Sequence, residues 1–312
     1  MSDYIQQDEV TIFATNHSGP LAKSLAGFRS LTGIGTDPVA FMFTNKYDAM
    51  VWPDDKKPMT LKGAAQDRVS AQMFLDQFTP GIRVVVSKSG NLDARREDIE
   101  DGIKEVVHSC PPLMVAYFQG HGEEGCDKLR YITGDRKGDG TLEGFTAERL
   151  LEMFSKLSTR TVSIVITDFC YSGNIYRLQY CLYLSPDGKS YLWYETDEWF
   201  KDNQAGWKHR FHVAGSLEWE QVYETEKRGG YLTNSLAKLE AGSTTVPQFL
   251  LGIRQGVGSH LEDGRARASQ PLPRDTTQQP QIYCTHKLPL DDSEIFSRIY
   301  LGTAEPFNSI SS

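Results

Sequence analysis

The chain has 312 residues, 39% of them hydrophobic and 24% charged, with a formal net charge of −8. That composition suits one large α/β domain or two modest ones and excludes a disordered or fibrous chain. The acidic balance argues against phosphate-backbone binding, and no apolar run approaches membrane-spanning length, so neither nucleic acid nor membrane is expected as a partner. Five cysteines without metal-ligand spacing read as reduced thiols of a cytoplasmic or nuclear protein. The polar, acidic start MSDYIQQDEV lacks the basic and apolar regions of a signal peptide. A monomer is expected.

Residues 1–36 read as an N-terminal extension with one strand-like piece, Val10 to Ala14. From Val39 strands and helices alternate. Val39 to Thr44 (VAFMFT) is a candidate strand, and Leu61 to Phe78 a helix with Ala65, Val69 and Met73 spaced four apart. Ile82 to Val86 is a second buried strand. Asp93 is placed to cap the next helix, whose apolar face is Ile99, Ile103, Val106 and Val107. Leu113 to Phe118 is a third strand and runs straight into Gln119-Gly120-His121-Gly122.

A polar loop with several glycines then leads to a helix from Thr146, striped by Leu150, Leu151, Phe154 and Leu157. The fourth strand, Thr161 to Thr167, is a β-branched run that gives way abruptly to Asp168-Phe169-Cys170-Tyr171-Ser172-Gly173. Four such cycles predict an α/β fold, a parallel sheet with right-handed crossovers and helices on both faces. Residues 37–175 form its large portion. Residues 176–208, rich in Tyr, Trp and Asp, read as a long linker loop with room for a hairpin. Residues 209–312 form a smaller portion of the same domain, with a strand at Phe211 to Ala214, helices at Tyr231 to Leu239 and Pro247 to His260, and a last strand at Gln281 to Thr285.

In a parallel sheet the third and fourth strands end on the same side, where ligands and chemistry collect. One delivers His121 and the other Cys170, a single crossover later. A histidine beside a cysteine can act as general base, because the thiolate is the attacking species. Gly120 and Gly122 leave the backbone bare around His121, so the amides of Gly122 and Cys170 can both face a developing oxyanion. A histidine roughly 50 residues before the cysteine is the caspase-type order. Cys110, Cys126, Cys181 and Cys284 read as structural thiols.

Tyr117-Phe118-Gln119-Gly120-His121-Gly122 is similar to the Y-F-S-G-H-G motif of metacaspases, and Asp168-Phe169-Cys170-Tyr171-Ser172-Gly173 to their D-x-C-H-S-G. Leu61 to Asp67 resembles their L-x-G-x-x-N-D segment, and Gly230-Tyr231-Leu232-Thr233 their G-A-F-T piece. The resemblance runs from Val39 to Thr285 and implies a member of peptidase family C14. The implied fold is the caspase/haemoglobinase one, a three-layer sandwich around a mostly parallel six-stranded sheet. It also implies a cysteine peptidase that cuts protein or peptide substrates after Arg or Lys, with Cys170 as nucleophile and His121 as general acid/base. The acidic residues of the P1 pocket map onto Asp67 and Asp168, and the serine that helps shape it onto Gln119.

The chain departs from the family pattern in places. Tyr171 replaces the histidine after the nucleophile, and the acidic segment of the small portion becomes Ala214 to Glu224, with Glu218 as its candidate substrate-binding acid. No cofactor is expected to be required. Calcium has an incomplete ligand set, because the family's paired aspartates fall at Ala147 and Glu148, with Asp135 as a further acid. The alternative is a binding scaffold that keeps the fold with weak activity or none.

Overall fold

The computed structural model describes residues 37–86, 92–125, 128–202, 208–267 and 271–308. The expected strand at Val10 to Ala14, and Cys126, lie outside the described residues.

Five strands pair in parallel: β1 (Val39–Phe43), β2 (Arg83–Val86), β3 (Leu113–Gln119), β6 (Val162–Asp168) and β9 (Arg210–Ala214), in the order β2-β1-β3-β6-β9. β12 (Gln281–Cys284) joins β9 antiparallel. These are the six strands the alternation predicts. The sheet has eight, because the segment read as a linker folds into a hairpin, β7 (Tyr180–Leu184) and β8 (Tyr191–Glu195), added beyond β12. β1, β3 and β6 are buried along their whole lengths. Covered on both faces, such strands need apolar residues at every position, which is why they read as unbroken runs.

Alternate residues of the strands point into two separate cores. One core holds Met42, Val115, Tyr117 and Ile166 and is roofed by α1 (Ala64–Phe78), α5 (Tyr231–Leu236), α6 (Val246–Arg265) and α7 (Ile295–Tyr300). The other holds Phe41, Phe43, Phe118 and Val165 under α2 (Arg96–Ser109) and α3 (Ala147–Ser155). The stripes expected for α2 and α3 face this core: Ile99, Ile103, Leu150 and Phe154 are all buried. Among the described residues no helix is long and apolar enough to cross a membrane.

Three expectations change. The four-residue spacing of Ala65, Val69 and Met73 marks the outer side of α1, with Val69 52% and Met73 47% exposed. Its buried side carries Ala64, Asp67, Ala71, Phe74 and Phe78, and the carboxylate among them hides the stripe. Asp93 does not cap α2. Its Oδ1 accepts the backbone N–H groups of Lys46 and Tyr47 at 2.9 and 2.7 Å, and the Arg95 N–H is taken by Asp98 instead at 3.1 Å. The glycine-punctuated loop after His121 contains a second hairpin, β4 (Tyr131–Arg136) and β5 (Leu142–Phe145).

α2 lies close on β1 because Gly102 has no side chain. A Cβ there would sit 2.9 Å from the ring of Phe41, and that ring is held in the core. Gly102→Val is therefore expected to lower the unfolding free energy by about 1–3 kcal/mol through overpacking. A urea unfolding curve with a lower midpoint at unchanged slope is the expected result.

Candidate active site

β3 and β6 run side by side with Gln119 opposite Asp168. His121 and Cys170 therefore each lie two residues beyond a paired rung, at adjoining strand ends. The first clamp on His121 is a backbone one. Its ring Nε2 lies 2.6 Å from the carbonyl oxygen of Met59. A carbonyl can only accept, so Nε2 carries the proton and Nδ1 keeps its lone pair. The ring is stacked on Tyr47 at 4.8 Å between centroids and flanked by Trp52 at 5.1 Å. The Tyr47 hydroxyl accepts the His121 backbone N–H at 2.9 Å and donates to the Ile132 carbonyl at 2.6 Å. Burial of the ring pushes the His121 pKa down, against the Met59 bond that raises it.

Cys170 begins a tight turn. Tyr171, with φ +61°, takes the left-handed region that non-glycine residues rarely occupy. The turn is held from outside: the Tyr171 N–H donates to the Glu220 carbonyl at 2.8 Å. The Glu220 carboxylate in turn accepts the N–H groups of Leu217 and Gln279 and the hydroxyl of Thr277, at 3.2, 2.7 and 2.8 Å. Gly173 is required here because a Cβ would come 2.5 Å from the Glu218 nitrogen. Burial pushes the Cys170 thiol up. The Val222 N–H, 3.5 Å from Sγ, opposes that shift.

Gly122 closes the gap between the two strand ends. A Cβ on it would fall 2.5 Å from the Cys170 carbonyl oxygen and 2.7 Å from that of Arg130, so this backbone approach needs glycine. Among the described residues no backbone carbonyl takes the N–H of Gly122 or of Cys170.

Asp67 and Asp168 converge beneath this rim. Asp67, on α1, accepts the Gly230 N–H at 2.6 Å through Oδ1. Asp168 accepts the N–H and hydroxyl of Thr233 at 3.2 and 2.6 Å through Oδ2. Both side chains are buried. Asp67 Oδ2 and Asp168 Oδ1 have no hydrogen-bond partner among the described residues. Desolvation raises the Asp168 pKa to about 6, against the Thr233 bonds. Desolvation and then the charge of Asp168 raise that of Asp67. Glu224, in the short strand β10 (Glu224–Thr225), joins them. It accepts the Gly63 N–H at 3.2 Å and is likewise raised by burial. Among the described residues no cation acts on these three carboxylates. The site is an acidic, half-satisfied cradle suited to a hydrogen-bonding cation.

Two further expected pocket residues lie near the strand ends: Gln119 is the register partner of Asp168, and the Glu218 backbone packs against Gly173. The Gln119 side-chain oxygen is occupied by the Asn45 N–H at 3.0 Å. The acids considered for calcium are engaged by other residues. Asp135 accepts from the Arg96 N–H and the Thr133 hydroxyl at 3.2 and 2.6 Å. Glu148 pairs with Arg177 at 3.0 Å. Among the described residues no group of three or more His, Cys, Asp or Glu could hold a metal ion. The Met59 carbonyl and Tyr47 escaped the sequence reading, and Val222, Thr233 and Glu224 lie in segments it quoted without a role for them. Of these only Glu224 carries a charge to notice, and its strand is too short for periodicity.

No protein-family model matches the chain, and no curated protein matches it. Among solved structures it is similar to caspase-1 from Spodoptera frugiperda, with a TM-score of 0.50 and 16% identity over 80% of this chain and 86% of that one. Protein GSU0716 from Geobacter sulfurreducens is also similar, with a TM-score of 0.43 and 14% identity over 80% of this chain and 93% of that one. At 16% identity the likeness to the caspase-1 structure concerns the fold alone. The chain has a caspase-like fold.

Proposed function

We propose that the protein is a metacaspase-like cysteine endopeptidase of family C14, cleaving after Arg or Lys with Cys170 and His121. The observation that carries the reading is the pair of adjoining strand ends, one with a histidine whose Nδ1 is left free as a base, the other with a cysteine in a strained turn. Both groups rest neutral, since burial lowers the imidazole and raises the thiol. The thiol proton passes to Nδ1 as sulfur attacks the scissile carbonyl carbon, and the N–H groups of Gly122 and Cys170 receive the oxyanion. The imidazolium then gives its proton to the leaving amine, and a water deprotonated by the same histidine cleaves the thioester.

Cys170→Ala and His121→Ala are each expected to abolish hydrolysis of an Arg-containing peptide while leaving the unfolding midpoint near wild type, because base and nucleophile act as one unit. Turnover surviving Cys170→Ala would move the nucleophile elsewhere. The elevated thiol is what favours the second reading, a scaffold without turnover. A peptidyl-Arg aldehyde or ketone separates the two, since a scaffold would leave the probe unreacted.

The preference for a basic P1 rests on the two orphaned carboxylate oxygens. Asp168→Asn removes the charge and keeps an acceptor for Thr233, and is expected to lower kcat/KM for Arg substrates at least about tenfold, the low end of the cost of unpairing a buried charge. The loss should be far smaller for a citrulline substrate. The pH dependence has a fixed sign. Asp168, raised to about 6, is charged above that pH and neutral below it. The Arg-to-citrulline ratio of kcat/KM should therefore fall as pH drops through about 6, a ratio that cancels the titration of the dyad. A flat ratio would remove Asp168 from the pocket.

Calcium is expected to leave kcat/KM unchanged, since Asp135 already accepts from the Arg96 N–H and the Thr133 hydroxyl and Glu148 is paired with Arg177. Activation by calcium that a chelator reverses would show that these contacts open to admit it.

A further inference from the structure

The proposed reaction puts a positive charge on His121 when it takes the thiol proton. In a triad an acidic side chain faces the ring and steadies that imidazolium. Here the Nε2 proton goes to the Met59 carbonyl at 2.6 Å, a neutral acceptor. Among the described residues no carboxylate acts on the ring, and burial works against its charged form. What lies against the imidazole is aromatic. Tyr47 is stacked on it at 4.8 Å between centroids, with the planes 26° apart, and Trp52 lies at 5.1 Å with a tilt of 57°.

Both rings are held where they are. Tyr47 is fully buried and sits at φ +56°, in the left-handed region that a non-glycine residue rarely takes. Its backbone N–H donates to Asp93 at 2.7 Å. Its hydroxyl donates to the Ile132 carbonyl at 2.6 Å and accepts the His121 N–H at 2.9 Å. Gly120 is bare where a Cβ would collide with that hydroxyl. Trp52 belongs to a narrow loop in which Val51 pairs with Pro58, and its N–H donates to the Lys57 carbonyl at 2.9 Å. Arg136 clamps the same loop through the Val51 carbonyl at 2.6 Å. Trp52 also packs against the cluster of Tyr47, Met59, Ile132 and Leu142. Strained residues of this kind persist only where the surrounding structure over-determines them.

We propose that Trp52, with Tyr47 as its fixed counterpart, stabilises the imidazolium of His121, the aromatic rings taking the charge-stabilising part that a carboxylate plays in a triad. The inference rests on the proposed reaction, in which the proton passes from Cys170 Sγ to His121 Nδ1. An aromatic ring carries negative charge on its face and attracts a cation within about 6 Å of its centroid, more strongly where water is excluded. Both rings meet that distance. A neutral imidazole gains little from the same contact, so the gain comes in the transition state and not in substrate binding. The other ionisable groups nearby do not supply it. Asp93 faces the Tyr47 backbone and Arg136 the Val51 carbonyl. Burial pushes the Tyr47 phenol up, so it stays neutral, and Cys170 is the source of the proton.

The sign of one pKa tests this. In the full-length Cys170→Ala chain the His121 ring is titrated by NMR, its signal assigned among the seven histidines by its loss in His121→Ala. Trp52→Leu keeps an apolar cover and removes the ring, and is expected to lower the His121 pKa by about 0.5–1. Trp52→Phe should restore most of the value. Were Trp52 only a cover, the smaller leucine would admit water, relieve the desolvation that holds the pKa down, and raise it. A rise or no change would overturn the inference. The titration needs no turnover, so a chain without peptidase activity would defeat the proposed function and not this measurement. In the active chain Trp52→Leu is expected to lower kcat for an Arg peptide about threefold to tenfold with KM unchanged, and Trp52→Phe to recover it. A loss confined to KM would make Trp52 a substrate contact and overturn the inference as well.

Discussion

The parallel pairing of β3 with β6 is the constraint on which the site depends. Once Gln119 stands opposite Asp168, the residues two steps further along are brought to one rim without any long-range side-chain bond. The rest of the molecule serves that rim. Gly122 allows the close backbone approach, Glu220 ties the turn after Cys170 to the 277–279 segment, and the Met59 carbonyl chooses the imidazole tautomer. A one-residue slip of this register would turn every strand residue to the opposite core. Phe118 and Tyr117 could not exchange places, because Tyr117 finds its hydroxyl partner, Thr233 at 2.7 Å, on only one side.

The same physics explains what could be read in advance. Doubly covered strands must be apolar throughout, so β1, β3 and β6 announce themselves, and the abrupt change after Thr167 marks a strand end. The glycines around His121 have a backbone reason that sequence conveys. α1 was misread because its buried face carries Asp67, a charged group placed there for the cradle and against the usual pattern. The hairpins β4–β5 and β7–β8 are short and interrupted, with Gly134 in one and a tyrosine on each face of the other, so neither gives a clean alternation. The Met59 carbonyl and the Val222 N–H are backbone groups, and no side chain records their use.

Burial at the cradle costs stability, and the pattern of hydrogen bonds shows where the cost is offset. Asp67 and Asp168 each have one oxygen satisfied by the small portion, through Gly230 and Thr233. Those bonds fasten that portion to the strand ends of the large one. Gly229 and Gly230 are bare because a Cβ on either would collide with these carboxylates. The remaining oxygens stay unpartnered in a desolvated setting, where each would lower its free energy by meeting a donor. A fold-stabilising role alone would favour removing the second charge, since like carboxylates raise one another's pKa. Under the proposed function, a basic P1 side chain would supply the donor that both lack.

The two sides of the site then differ in kind. The acidic rim is polar and held by backbone bonds, and two of its carboxylate oxygens have no partner among the described residues. The wall beside His121 is aromatic, and among the described residues no carboxylate acts on the ring it covers. Under the proposed function, the first would meet a charge that the substrate brings and the second a charge that the reaction makes.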